Sequence, residues 1–294
     1  MKCIILAGGK GNTLWPLSLK KYPKQFINIR EGRSLLQDTI VRNLPFVDEF
    51  IIVTNEMYSE ILETQLKVFQ GLRYRVIYES ESRGTFAAVS LASLYMNPSE
   101  LMMVTVSDLV IEMGDYKDTI IKAKDIAKNA VVANVVGAKG HIGIYICMAG
   151  TFNKLVSDIY PEFDLQMRKK IKRRLRTVKS TIHVSNAIME QFAVKSIQLD
   201  FFMKTDNIEK VVADFNYKDI DNICDLDSVS YLINNKNVVE NNCDNSLLIN
   251  TAEKHLLVAN NVNDIAVVNT EDATYISAKK DISNIKDIIL LKND

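Results

Sequence analysis

Three glycines, a lysine and an aspartate are the residues whose types and spacing could do chemistry. The apolar run Cys3–Ala7 leads straight into Gly8, Gly9 and Gly11. Glycine has no Cβ, so bare backbone N–H groups can approach a phosphate closely. Pro23, Lys24 and Gln25 then add a fixed turn and a cation. A strand, a glycine loop and a lysine commonly hold a nucleoside triphosphate. The spacing is not a Walker loop, since no Gly-Lys-Ser/Thr follows, and the dinucleotide fingerprint lacks its third glycine. Glycine loops also serve as plain turns, and a solvated loop lysine is the other reading of Lys24. Asp108 follows the apolar run Leu101–Val106, which puts a carboxylate at a strand end. It either ligates there or caps the next turn.

These residues need a sheet to position them. Strand-like runs at Lys2–Ala7, Glu49–Thr54, Tyr74–Tyr78, Leu101–Val106 and Ala130–Val136 alternate with helix-like stretches. The helical stretches are Leu35–Leu44, Met57–Phe69, Thr85–Tyr95 and Tyr116–Asn129. Near-continuous apolar strands separated by helices predict a doubly wound α/β fold around a mainly parallel sheet. Ligands in such sheets bind at the carboxyl ends of the strands, where the glycine loop and Asp108 fall. From about residue 226 the pattern becomes Asn-rich, with short β-like runs at Ser246–Asn250, His255–Ala259, Ile265–Asn269 and Thr274–Ser277. The expected organisation is residues 1–225 as the main domain and 226–294 as a small β-rich one. Ile282–Leu291 reads as a strand or a terminal helix.

Composition excludes several classes. With 294 residues, 47% hydrophobic and 24% charged, the chain suits a globular protein. Lys+Arg and Asp+Glu balance at 36 each, so no global field recruits nucleic acid or a membrane. No apolar run reaches the length of a membrane span. Met1-Lys2 leads directly into the first strand, leaving no room for a signal peptide. Cys3, Cys147, Cys224 and Cys243 are scattered, which predicts buried free thiols and a cytoplasmic setting.

The ungapped strings Leu14-Trp15-Pro16-Leu17-Ser18 and Tyr22-Pro23-Lys24-Gln25-Phe26 are more specific than any glycine count. They resemble the N-terminal signature of sugar-phosphate nucleotidyltransferases, most closely the bacterial mannose-1-phosphate guanylyltransferases. Ser34-Leu35-Leu36-Gln37-Asp38-Thr39 and Val267-Val268-Asn269-Thr270-Glu271-Asp272-Ala273 continue the likeness, so it covers nearly the whole chain. The resemblance implies a nucleotide-diphospho-sugar transferase fold with a short C-terminal β-solenoid, which in that family often supports dimer contacts. It implies GDP-mannose formation from GTP and mannose 1-phosphate with Mg²⁺. Leu6, Ala7, Gly8, Gly9, Gly11, Asn12 and Thr13 would meet the nucleotide, with Lys24 and Asp108 catalytic. Asp108 would also be a metal ligand. Val212-Ala213-Asp214-Phe215-Asn216-Tyr217-Lys218-Asp219 resembles the family's second acidic motif, making Asp219 a second metal ligand or else a surface loop aspartate. The stretch from Glu79 to Ala92 resembles the block that lines the base pocket, which places Arg83 and Thr85 near the base; an ordinary helix N-terminus is the alternative. Lys204-Thr205-Asp206-Asn207 and His141-Ile142-Gly143-Ile144-Tyr145 match sugar-side motifs in part.

Three departures oppose an unmodified enzyme. Thr13 stands where the family has a loop arginine, and a hydroxyl cannot replace that charge. The family's hexose-holding segment has no counterpart between Val131–Val136 and the His141 block. Gly84, Leu109 and Leu19 replace polar residues. A degenerate paralogue that binds a nucleotide or nucleotide sugar without turnover, as a regulatory or scaffold subunit in glycan synthesis, is therefore the alternative reading. Met167–Lys179 reads as a basic helix with an apolar stripe of Met167, Ile171, Leu175 and Val178. It is either a solvated face or a site for an anionic partner; with no aromatic residue interleaved, nucleic acid is disfavoured.

Overall fold

The apolar strand runs assemble into a nine-stranded sheet. In a computed structural model the described residues are 1–284, excepting Lys10, Glu31, Met113, Lys139, Asp164, Asn234 and Lys236. The expected strands form at Lys2–Leu6, Glu49–Asn55, Tyr74–Glu79, Leu101–Val106 and Val132–Gly137. Gly140–Met148, Arg176–Val178, Thr181–Val184 and Ile208–Val212 complete the sheet. Lys2–Leu6 lies at its centre, parallel to Glu49–Asn55 on one side and Leu101–Val106 on the other. Tyr74–Glu79 pairs parallel beyond Glu49–Asn55, and Val132–Gly137 pairs parallel with Ile208–Val212. Antiparallel pairing is confined to Gly140–Met148 with its two neighbours and to the edge strand Arg176–Val178. The sheet is thus mainly parallel, as read from the sequence.

Both faces of this sheet are buried. Ile4, Ile51, Val53, Ile77 and Val104 face one apolar cluster with the helix Gly84–Ser93. Their chain neighbours Cys3, Ile5, Ile52 and Val76 are just as inaccessible, and alternate side chains point to opposite faces. The helix Tyr116–Ala127 buries Tyr116, Ile120 and Ala123 and packs on Val132–Gly137 and Gly140–Met148. The register sets Leu6 beside Val53 and Val106, and Asn55 beside Glu79, so the parallel strands end together along one edge.

Where the resemblance leaves a gap for the hexose segment, Val132–Gly137 and Gly140–Met148 pair directly, Gly137 opposite Gly140. The basic helix is shorter than expected. It runs Leu165–Arg174, and Arg176–Val178 is a strand with all three residues exposed. Arg168 is not on a solvated face but buried, its guanidinium donating to Asn153 Oδ1 at 2.7 Å. Among the four free cysteines, Cys3 and Cys147 are buried, with thiols pushed up to about 12 by desolvation. Cys224 is exposed and Cys243 half-buried, which corrects the expectation of buried thiols at those two positions.

The chain divides into two compact units. The sheet and its helices make the first, residues 1–9, 39–107 and 111–217. The second takes residues 10–38, 108–110 and 218–294, so it joins the signature loop to the tail. Its core unites Leu14, Ile27 and Leu35 from the loop with Ile220 and Leu226, and with Leu247, Ile249 and Val268 from the tail. The tail is a two-coil β-solenoid. Val238–Asn241 pairs parallel with Leu257–Asn260, and Leu247–Asn250 with Ile265–Asn269. Side-chain bonds between Asn241 and Asn260, Asn242 and Asn261, and Asn250 and Asn269 all span 19 residues. Asn237, Asn242, Asn245 and Asn261 also hold positive φ at the corners. Asparagine tolerates that backbone region and its amides ladder between coils, which explains the Asn-rich composition. Of Ile282–Leu291, residues 285–291 lie outside the described residues.

Candidate active site

The signature loop is fixed by its own backbone. Gly11 adopts φ 51°, and a Cβ there would lie 2.6 Å from Lys24 N. Lys24 N–H donates to Gly11 O at 3.0 Å. Gly11 is therefore glycine because the Pro23–Gln25 turn packs against it, a reason additional to phosphate access. A Cβ on Gly9 would meet nothing within 4 Å, so packing does not require glycine there.

Lys24 and three carboxylates come together within the second unit. Lys24 Nζ lies 3.0 Å from Asp108 Oδ2 and 2.9 Å from Asp221 Oδ1, and donates to Ile220 O at 2.8 Å. Burial opposes the ammonium, but Asp108 and Asp221 outweigh it and hold Lys24 above its usual pKa. Asp108, Asp219 and Asp221 each offer an oxygen, all within 4.8 Å of one another. Burial first, then repulsion from Asp108 and Asp221, pushes Asp219 up to about 6. Asp225 organises this corner: its carboxylate accepts from the backbone N–H of Asp221 and Asn222 and pairs with Lys218 at 3.1 Å. Asn222 and Asp225 form the capping box of the helix Ile223–Asp227. That cap explains why the chain turns where Asp219 and Asp221 sit.

A second group stands at the carboxyl edge of the sheet. Glu79 is 3% exposed, and among the described residues its Oε1 has no hydrogen-bond partner. Desolvation pushes its carboxyl up to about 8. A Cβ on Gly8 would lie 3.5 Å from Glu79 Oε2, so the glycine loop begins beside this carboxyl. Thr54 Oγ1 donates to Ala7 O and Ser107 Oγ to Leu6 O, pinning the strand just before the glycines.

Lys24, Asp108 and Asp219 thus come together, and Gly8 meets Glu79. Arg83 and Thr85 are engaged by other protein groups. Arg83 makes a two-point contact with Glu81 Oε1 at 2.7 and 2.9 Å. Thr85 Oγ1 accepts from Ile197 N at 2.8 Å. Thr13 Oγ1 is buried without a hydrogen-bond partner among the described residues. Asn12 lies in a short 3₁₀ turn with Thr13 and Leu14. Gly84 replaces a polar family residue for a backbone reason: its φ is 80°, and a Cβ would lie 2.4 Å from Lys195 O. Gly84→Ala should lower stability by roughly 1–3 kcal/mol, read as a drop in thermal midpoint; an unchanged midpoint would contradict this packing.

Sequence reasoning missed Asp221 and Glu79 as chemical groups. The signals existed: acids recur at 219, 221 and 225, and Glu79 ends an apolar strand.

A family model described as nucleotidyl transferase matches residues 2–141. Residues 2–141 are a nucleotidyl transferase domain. Along 97% of the chain, the sequence is 24% identical to a mannose-1-phosphate guanylyltransferase of Escherichia coli and spans 74% of that protein's length. Over a shorter stretch of 112 residues, it is 40% identical to the corresponding enzyme of Salmonella montevideo, covering 37% of this chain and 24% of that one. The fold matches a solved structure described as mannose-1-phosphate geranyltransferase from Thermus thermophilus. That match has a TM-score of 0.81 and 16% identity and covers 100% of this chain and 99% of that one. Among the described residues, no helix is long and apolar enough to cross a membrane.

Proposed function

We propose that this chain transfers a guanylyl group from GTP to mannose 1-phosphate, giving GDP-mannose and pyrophosphate. The observation that carries this reading is the cluster of Asp108, Asp219 and Asp221 around Lys24. Hard oxygen donors at that spacing suit Mg²⁺. Bound there, Mg²⁺ would neutralise charge on the triphosphate. With Asp108 and Asp221 holding the cation, the Lys24 ammonium would be free to meet a phosphate. The acceptor phosphate is already an anion, so no general base is needed. One of its oxygens attacks the α-phosphorus, and the bond to the leaving pyrophosphate breaks. Glu79 supplies two acceptor oxygens for the paired N–H groups of guanine. Such donors favour the charged carboxylate and offset the burial that raises its pKa.

The test is pyrophosphate release from GTP, mannose 1-phosphate and Mg²⁺ by the purified chain. Release no faster than from Asp108→Ala would overturn the reading. Metal binding has its own signature. Below pH about 6 Asp219 takes up a proton, which competes with the cation. Mg²⁺ should therefore raise the thermal midpoint at pH 7.5 and do little at pH 5. Equal shifts at both values would exclude Asp219 as a ligand.

Thr13 favours a second reading, in which the chain binds nucleotide or nucleotide sugar without turnover. One lost preorganised cation commonly costs about 10²–10³ in rate. Thr13→Arg should then raise turnover measured as pyrophosphate release, and a lower rate would show that position 13 faces no phosphate.

A further inference from the structure

Residues 165–189 include eight Lys and Arg and no Asp or Glu. Basic and acidic residues are equal in number over the whole chain, so the remainder is net negative. The balance that removes a global field therefore leaves a local one. The structure sorts these eight cations. Met167 and Ile171 dock the helix Leu165–Arg174 on the core, and Arg168 is buried beside them. Lys172 donates to Leu94 O and lies over the Tyr95 ring. The other six, Lys169, Lys170, Arg173, Arg174, Arg176 and Lys179, are exposed and make no ion pair among the described residues. Lys169 stands one helical turn from Arg173, and Lys170 one turn from Arg174. Like charges at that spacing destabilise a helix, and the segment holds no carboxylate to relieve them. Glu56, close by, is committed to His183 Nδ1 at 2.9 Å, and His183 is the register partner of Arg176. The helix macrodipole accounts for Arg173 and Arg174 in the last turn, and protection of a sheet edge accounts for Arg176. Neither accounts for Lys169, Lys170 or Lys179.

We propose that this face binds the anionic surface of a lipid bilayer and holds the chain reversibly at the membrane–water interface. Phosphate-bearing headgroups supply the negative charges that the chain itself withholds from these six residues. Each basic residue close to an anionic leaflet strengthens binding about fivefold. The make-up of the face favours lipid over a protein partner. Stable protein interfaces have an apolar or aromatic centre and are poor in lysine. Here Val178, 45% exposed, is the one large apolar side chain that is exposed among the described residues of 165–184. Single-stranded nucleic acid is bound on stacking aromatic rings, and residues 165–189 include no Phe, Tyr or Trp. The proposal goes beyond the transfer reading above and does not depend on it.

Co-sedimentation of the whole chain with vesicles tests it. One set is phosphatidylcholine alone, and the other mixes one part phosphatidylglycerol with two parts phosphatidylcholine. The variants are Lys169→Gln/Lys170→Gln and Arg173→Gln/Arg174→Gln, all at exposed positions. The control is Lys117→Gln/Lys122→Gln, which removes two exposed charges from the helix Tyr116–Ala127. Binding is expected to the anionic vesicles and not to phosphatidylcholine, and it should vanish at about 1 M salt. Each variant of the basic helix should weaken it about tenfold or more, and the control by less than about twofold. No sedimentation with anionic vesicles by protein with a normal melt overturns the proposal, as does equal binding to phosphatidylcholine. An equal loss in the control leaves only net charge and overturns the assignment to this face. Duplex oligonucleotide and polyglutamate of matched charge are offered in parallel. If either binds more tightly than the vesicles through Lys169 and Lys170, the face belongs to nucleic acid or an acidic protein and the lipid assignment fails.

Discussion

Asp108→Ala is expected to lower pyrophosphate release about 10²-fold or more while leaving the fold intact. Asp108 does two things at once. It offers an oxygen to the three-carboxylate cluster, and it contacts Lys24 at 3.0 Å. Removing it leaves Asp219 and Asp221 to hold a cation, and two carboxylates bind a hard dication far less well than three. Thermal stability should change little, because the lost ion pair is offset by relief of repulsion on Asp219. The same variant should therefore bring Asp219 back towards the ordinary carboxylate range. Three readouts check this together: turnover, the thermal midpoint, and the midpoint shift on adding Mg²⁺. Turnover within about threefold of the parent would remove Asp108 from the chemistry. A collapse of the midpoint with no metal would instead make it a structural residue whose task is to anchor Lys24.

Glu79→Gln is expected to flatten the pH dependence of stability and to blunt guanine preference. The Glu79 carboxyl sits at about 8 in the folded chain, above its unfolded value of 4.5. Between those values the folded state holds the extra proton. Stability therefore falls as pH rises through that window and levels off above pH about 8. From pH 5 to pH 8 the loss attributable to this group is on the order of 4 kcal/mol. Glutamine carries no such titration, so its melts at pH 5 and pH 8 should lie closer together than those of the parent. GTP should reverse the effect in the parent, because two N–H donors favour the carboxylate. Proton release on GTP binding at pH 7, read as a dependence of heat on buffer, follows from this. Glutamine offers one donor and one acceptor in place of two acceptors, so GTP affinity should drop by about 10-fold or more. The same heat in every buffer would exclude Glu79 from the base pocket.

The fold was legible because its strands are long apolar runs. Lys2–Leu6 and Leu101–Val106 could only be buried on both faces, and two-sided burial implies helices on each side. A small β-rich tail was visible in the spacing of short β runs and its solenoid form was implied by the resemblance, but the 19-residue ladder was not visible, because single asparagines read as turns. The basic segment was misjudged for a related reason. Charge periodicity cannot say where a helix stops, and sheet pairing turned Arg176–Val178 into a strand. Arg168 left the solvated face because Asn153 and Ser93 supply buried acceptors 15 and 75 residues away.

By itself the sequence determined the α/β class. It offered the glycine loop, Lys24 and Asp108 as candidates from local type and spacing, and Asp219 only through the family resemblance. Only the tertiary structure decided that Lys24 lies between Asp108 and Asp221, residues 84 and 197 positions away. It alone set the buried Glu79 carboxyl beside Gly8 and aligned Lys210, Asn134 and Tyr145 across three strands. Each of these depends on desolvation or charge proximity between distant segments, and neither exists until the sheet and the loop core have closed.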